Sequence, residues 1–526
     1  LPHDHPIFMI HPDVRGAQVE IFLEELSGKP WHALCSSHER VRQGYAESLQ
    51  AVFRAAPELA GAVMIVGGEC FFHCFTRSTG EQLTNCPRCR SKEPHKHVAH
   101  LVNTLHDAVN RSGENRSLFA WPYSAFTWSR EDSTQSKWIH YLDQGVKVLC
   151  NFDCFDWDLS TGGMVRLFDY NIKLIGPSSV FVAQAGACRE RGLEIFAKTE
   201  TNTTVDTFFL PHLPVYFRWF ERFRAIRESG ARGFMGQWRF YGMNGSIPEE
   251  LQYHSVWNPD ARVEDLLATI AKRDFALDSQ ASASVVFAWR QMSDAWDDFP
   301  WSAITAGERE GYMRGPWYLG PAHPLIFNVQ DHYHLGSKFY KVRGDIAEMV
   351  SETEVSQFSG KPRYVSDLLI CLPFGVHHYL HLVSSCRERW QEGVATLCSA
   401  IGSAPTKKAR RELGICEMIG IHLQSLENTV RFYSTRDSLG QAAAGQSDFE
   451  SIIQELQKIA KNEIANATRS LPILESDPRI GFGYTYGEVY DSDMVREKIA
   501  QCHYLVSNEL GRIESLLRFH IWQKFP

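Results

Sequence analysis

The chain of 526 residues has no apolar run approaching the roughly 18–20 residues a membrane span needs. Its start, LPHDHPIFMIHPD, has neither a basic n-region nor an apolar h-region. These absences predict soluble material, with secreted or periplasmic and cytoplasmic locations both open. The missing initiator Met suggests a processed or truncated chain. Long basic runs are also lacking: 54 basic and 62 acidic side chains give a formal charge of -8. That balance disfavours nucleic-acid partners and anionic membrane surfaces, which call for Lys and Arg concentrated on one face. Thirteen cysteines in 526 residues are too sparse for a disulfide scaffold, so most are expected to be reduced. No internal repeat is visible.

What is abundant is apolar and aromatic: 44% of residues are hydrophobic and 12% are Phe, Trp or Tyr. From residue 31 to 245, short apolar runs alternate with amphipathic stretches, the pattern of β/α units around a parallel sheet. Strands are predicted at His32–Cys35, Ala62–Val66, Leu118–Pro122, Val146–Phe152, Leu193–Lys198 and Gly233–Phe240. Helices are predicted at Arg40–Ala56, His97–Val109, Gln135–Leu142, Ser178–Arg191 and Val215–Glu228. The expected fold is α/β, a (β/α)8 TIM-like barrel, followed by a mostly α-helical C-terminal domain. A barrel needs eight strands to close, and no pair of β/α units precedes residue 31. Either the first strands lie upstream of Leu1, in an N-terminal segment that completes the barrel, or the sheet closes in an unusual way. The expected organisation is a catalytic barrel over 1–245, a helical and loop extension over 246–345 packed on it, and a helical domain over 346–526. Long helices are predicted at Val263–Lys272, Ser282–Phe299, Asp367–Ser403, Ala409–Ser434, Phe449–Asn466 and Ser492–Phe519.

In β/α barrels, reactive side chains stand where strands end, because that rim alone gathers residues from several strands. Glu69 follows two glycines after an apolar strand and is flanked by Phe71 and Phe72. A carboxyl group in a partly apolar site is raised in pKa and can donate a proton near neutrality, although a surface Glu closing a turn has the same pattern. Asp153, in NFDCFDWD, lies nearest its strand end and is the partner carboxylate; Asp156 and Asp158 follow. Asx turns are the plain alternative for all three. Trp121, Tyr123, Trp128, Trp157 and Trp238 cluster at strand ends, where flat rings with a polar edge suit sugars. His11, Arg15, His38, Lys198, Glu200 and Arg239 supply groups for hydroxyls or a carboxylate.

Cys70, Cys74, Cys86 and Cys89 form a separate group, with a Cys-x2-Cys knuckle at its end. The spacing fits a structural Zn2+ site; a disulfide and reduced buried thiols are the other readings. No cofactor is expected for catalysis.

The succession ALCSSHERVR, MIVGGECFFHC, NCPRC and LFAWPYSAF resembles the barrel glycoside hydrolases related to family 163 endo-N-acetylglucosaminidases and family 67 α-glucuronidases. GGE also resembles the Gly-Gly-Asp-Glu strand end of family 20 hexosaminidases, whose Glu is the general acid and whose preceding Asp steers the substrate acetamide. Here the preceding residue is Gly68, so an assisting carboxylate would come from another strand. The resemblance runs over about residues 8 to 300. It implies that Glu69 ends the fourth barrel strand and that WPY, NFD, AKTE and GQWRF end the fifth to eighth. The expectation is a glycoside hydrolase acting on glycans that contain N-acetylhexosamine or uronic acid. A non-catalytic carbohydrate-binding protein on a degenerate barrel is the alternative, and a metal-dependent hydrolase using the cysteines is a third.

Overall fold

The computed structural model describes residues 1–19, 30–67, 73–76, 83–123, 125–167, 170–205, 207–237, 245–301, 316–327, 367–439, 448–483 and 487–512. Glu69, Cys70, Trp238 and Arg239 lie outside these residues. The described chain is α/β, and none of its helices is long and apolar enough to cross a membrane. It divides into two compact units: residues 1–155, 176–199 and 225–236 form one, and residues 156–175, 200–224 and 237–526 the other.

The first unit is built on a five-stranded parallel sheet of β3 (Gly61–Ile65), β4 (Ser117–Trp121), β5 (Lys147–Asn151), β8 (Ile195–Lys198) and β9 (Phe234–Met235), in that spatial order. Each strand neighbours the next of the sheet in sequence, as β/α units wound in one direction require. Among the described residues the sheet is open, with β3 and β9 at its edges, so a closed eight-stranded barrel is not seen. Its strands are short and apolar at the centre: Met64, Leu118, Ala120, Val148, Leu149, Cys150 and Ala197 are all buried. Sheets covered on both faces select such runs.

A short helix α1 (Pro6–Ile10) opens the chain, and helices α2 (Glu39–Ala55) and α3 (Pro94–Arg111) flank β3 in sequence. α3 starts on Pro94, whose missing N–H costs nothing at the first helical position. Glu93 caps it by accepting from the N–H groups of His95 and Lys96, at 3.0 and 2.9 Å. α4 (Ser179–Arg191) starts at the Ser178 cap.

Among the elements that depart from the sequence reading are two of the first unit, and in the second the helix expected at Asp367–Ser403 is a 3-10 turn, Asp367–Cys371, followed by a helix that starts only at Val376. The strand expected at His32–Cys35 is β2 (Trp31–Leu34), and it pairs antiparallel with β1 (Arg15–Val19) in a separate hairpin instead of joining the parallel sheet. Ala17, Val19 and Ala33 are buried on it, so its apolar face is satisfied by local pairing. The helix expected at Gln135–Leu142 is only a 3-10 turn, Lys137–Tyr141. Gln135 takes a left-handed conformation with φ 55°, and the Asp132 carboxylate accepts from the N–H groups of Ser136 and Lys137, which a continuing helix would need.

The second unit contains a short hairpin of β6 (Asp156–Asp158) and β7 (Val165–Leu167), then mainly helices. These include α6 (Ile247–Trp257), α7 (Val263–Phe275), α8 (Ser279–Ala295), α9 (Pro316–Leu319), α10 (Val376–Ile401), α11 (Lys407–Leu439), α12 (Asp448–Ser476) and α13 (Ser492–Tyr504). α5 (Tyr216–Glu228) begins in this unit and ends in the first. α10, α11 and α12 pack consecutively, and Phe432, Ile453, Leu456, Ala460, Cys502 and Leu505 form one of the unit's buried clusters.

Candidate active site

The strand ends pair at three of the four steps across the parallel sheet, and β5 runs two residues past β4, since Ala120 pairs with Val148. Ile65 pairs with Trp121, Asn151 with Lys198, and Lys198 with Met235. The ladder runs one residue further at three steps: Val66 N–H donates to Trp121 O and Phe152 N–H to Lys198 O, both at 2.8 Å, and Thr199 N–H to Met235 O at 3.1 Å. The carboxyl ends of all five strands thus form one edge, the place where open parallel sheets present ligand-binding side chains.

Three residues of adjacent strands meet there. Trp121 donates its indole N–H to Asn151 Oδ1 at 2.9 Å, and Asn151 Nδ2 donates to Tyr123 O at 3.1 Å. The Trp121 and Tyr123 rings meet edge to face with centroids 4.8 Å apart. Lys198 Nζ sits 5.8 Å from the Trp121 ring centroid and donates to Thr199 O. Trp121 and Lys198 are fully buried, as is Asp153 two residues beyond Asn151. A buried ammonium near an indole that is itself hydrogen-bonded to a side-chain amide makes a polar group in low dielectric, where a charge interacts more strongly than in water.

The end of β3 is lined differently. Trp128 is buried against Gly67, where an added Cβ would fall 2.1 Å from its Nε1. His73 packs on Trp128 at 5.6 Å and hydrogen-bonds Val66 O at 2.9 Å, while His95 approaches the same ring at 5.8 Å and bonds Ser129 Oγ at 2.9 Å. Burial pushes the His73 imidazole down to about 3 and that of His97 down to about 4, so both are neutral at pH 7.

The structure thus brings together Tyr123 and Lys198 among the expected substrate-binding residues, with Asp153 on the same edge and Trp128 at the first strand of that edge. It places His11, Arg15 and His38 on the N-terminal segment: Arg40 Nη1 meets His11 Nδ1 at 2.6 Å, Arg15 lies over the Phe8 ring, and His38 pairs with Asp13 at 2.8 Å. Glu200 is buried in the second unit. Asp158 closes a local turn by accepting from Ser160 N–H at 2.9 Å, and Asp156, in β6, accepts from the adjacent Trp157 N–H at 3.0 Å. Trp157 is 52% exposed. Asn151 is absent from the residues expected by sequence, although it ends an apolar strand, which is the signal that marks it.

Of the expected cysteine group, Cys74, Cys86 and Cys89 are described and Cys70 lies outside the described residues. Cys35, just past β2, joins Cys74, Cys86 and Cys89, with all four sulfurs within 4.8 Å of one another. Among the described residues these cysteines are free thiols, not disulfides.

No protein-family model and no curated protein matches the chain. Among the solved structures that are similar is a GH138 enzyme targeting pectin rhamnogalacturonan II, with a TM-score of 0.48 and 9% sequence identity, covering 91% of this chain and 53% of that one. The chain spans about half the length of that structure. At this level the likeness bears on neither substrate nor residue roles.

Proposed function

We propose that the protein is a glycoside hydrolase whose site is the carboxyl edge of the parallel sheet, with Glu69 as general acid and Asp153 as the second carboxylate. The observation that supports this reading is the meeting of Trp121, Asn151 and Lys198 on the edge that also carries Asp153. Glu69 follows Gly67 by two positions, and Gly67 lies two residues past the end of β3. An indole face, an amide and an ammonium suit a pyranose ring bearing hydroxyls and a charged group.

The test is a panel of aryl glycosides, aryl uronides among them, assayed with wild type, Glu69→Gln and Asp153→Asn. Loss of the general acid is expected to lower kcat by about 10²–10⁴-fold on substrates with poor leaving groups. Calorimetry with glycan fragments should show binding retained by Glu69→Gln. Unchanged turnover in Glu69→Gln sinks the assignment. Binding without turnover by the wild type favours a carbohydrate-binding protein.

A further inference from the structure

We propose that Cys35, Cys74, Cys86 and Cys89 bind one structural Zn2+ as a tetrathiolate, fastening the β1–β2 hairpin to the connection between β3 and α3. The geometry carries it. Tetrahedral zinc with Zn–S bonds of about 2.3 Å holds its sulfurs about 3.8 Å apart. Cys35 Sγ lies 3.7 Å from both Cys86 Sγ and Cys89 Sγ. No pair in the set is separated by more than 4.8 Å, at most about 1 Å beyond the ideal, which a small χ1 rotation closes. A disulfide would need a separation of about 2.05 Å. A multi-iron cluster would hold its sulfurs further apart than these stand.

The surroundings fit bound thiolates better than a pocket of idle thiols. Arg88 Nε donates to Cys35 Sγ at 3.3 Å, the Ser37 hydroxyl lies 3.0 Å from Cys89 Sγ, and Ala17 N–H donates to Cys74 Sγ at 3.5 Å. Four thiolates around Zn2+ leave a net charge of about 2-, and donors aimed at the sulfurs are what such a centre requires. Cys86 and Cys89 form a tight knuckle in which Cys89 N–H and Arg90 N–H both donate to Cys86 O. Gly16 is demanded by the same packing, since a Cβ there would stand 2.6 Å from Cys74 Sγ.

The segments that supply the ligands already touch away from the sulfurs, Gln18 N–H donating to Asn85 Oδ1 at 2.9 Å, and a metal would add to that tie. A two-stranded hairpin is marginal alone, and residues 66–93 form a long connection that carries Glu69 by sequence. Zinc entry displaces the thiol protons, and its binding free energy becomes folding free energy for this region. With four protein ligands the ion has no open position, so it serves structure and not hydrolysis. The proposal stands or falls independently of the glycosidase reading.

Metal analysis of the full chain, purified without chelator, is expected to give about one zinc per chain. Cys35→Ser should reduce that content at least about fivefold, and Cys70→Ser should leave it unchanged. Because Cys35→Ser can also fail to fold, a second measurement uses the wild type alone. Titration with an organomercurial in the presence of a zinc indicator should release the metal as four thiols are consumed. Cobalt exchanged for zinc should show the visible bands of a tetrahedral tetrathiolate. Folded wild type without zinc overturns the proposal, as does zinc that survives Cys35→Ser but is lost in Cys70→Ser.

Discussion

The indole of Trp121 and the amide of Asn151 are joined across neighbouring parallel strands by a 2.9 Å hydrogen bond in which the indole donates. The same amide donates to Tyr123 O, so one side chain satisfies two groups from β4 and the turn after it. Asn151→Ala removes both of these hydrogen bonds. Leaving buried polar groups unsatisfied costs about 1–3 kcal/mol, and the midpoint of urea unfolding should fall by the corresponding amount with unchanged slope. Asn151→Asp keeps an acceptor for Trp121 but offers no donor to Tyr123 O, so it should lose part of the stability only. Equal losses in the two variants would show that the acceptor for Trp121 contributes nothing on its own.

His422 in α11 gives the second unit a pH dependence of defined sign. Its Nδ1 faces Trp317 O at 2.8 Å, and that carbonyl can only accept, so Nδ1 carries the proton and Nε2 accepts from the Tyr490 hydroxyl at 2.7 Å. The ring is stacked on Phe209, with centroids 4.3 Å apart. Burial pushes its pKa down from 6.5 to about 3. The unfolded chain therefore takes up the proton first. This contribution to stability is whole above pH 6.5, falls as pH drops through the window from 6.5 to about 3, and levels off below it. The limiting slope is about 1.4 kcal/mol per pH unit. His422→Gln should flatten the stability profile between pH 6.5 and about 5 relative to wild type, measured by denaturant unfolding at each pH. An unaltered profile would show that His422 does not resist protonation.

Much of the sheet is legible in the sequence because its strands are apolar runs bounded by turn residues: Val148, Leu149 and Cys150 between Gly145 and Asp153 give no helical period. For β2 the sequence places the strand but not its pairing. Its partner reads Arg-Gly-Ala-Gln-Val, too poor in β-branched residues to announce a strand, so β2 reads as a member of the parallel sheet. Gln135 shows another limit, since a left-handed backbone at a non-glycine residue leaves no compositional trace. Cys35 escapes the metal set because ligand spacing finds knuckles such as Cys86 and Cys89, whereas a lone thiol at a distant strand end joins them only through the fold. At the sheet edge, Lys198 and Tyr123 are visible as strand-end residues, but the approach of the Lys198 ammonium to Trp121 depends on strand order.

Glu463 and Lys498 form an ion pair at 2.6 Å with no exposure on either side chain. Ser425 and Asn428 donate to the carboxylate at 2.7 and 2.6 Å, and Lys498 also donates to Pro321 O. Lys498→Met removes one charge and leaves the other buried, which costs about 3–5 kcal/mol. The double variant Lys498→Met/Glu463→Leu eliminates the stranded carboxylate and should regain most of that loss. Additive destabilisation in the double variant would refute the coupling; a full denaturation series on wild type, both single variants and the double measures it.

Gly67 and Trp128 make the closest approach at the end of β3. The Cβ of Gly67→Ala would stand 2.1 Å from Trp128 Nε1 and 2.8 Å from its Cδ1, so the backbone or the indole must move. Forcing atoms into a packed core costs about 1–3 kcal/mol. Trp128→Phe removes the colliding nitrogen and leaves a cavity of its own, so each single variant should be less stable than wild type. Their combination should be more stable than the two losses summed, by about 1 kcal/mol or more, because the new methyl group occupies space the smaller ring has vacated. Thermal and urea unfolding of the cycle distinguish this from strict additivity, which would show that the glycine is required for its backbone alone. A favourable coupling would make Trp128 the wall against which Gly67 is packed.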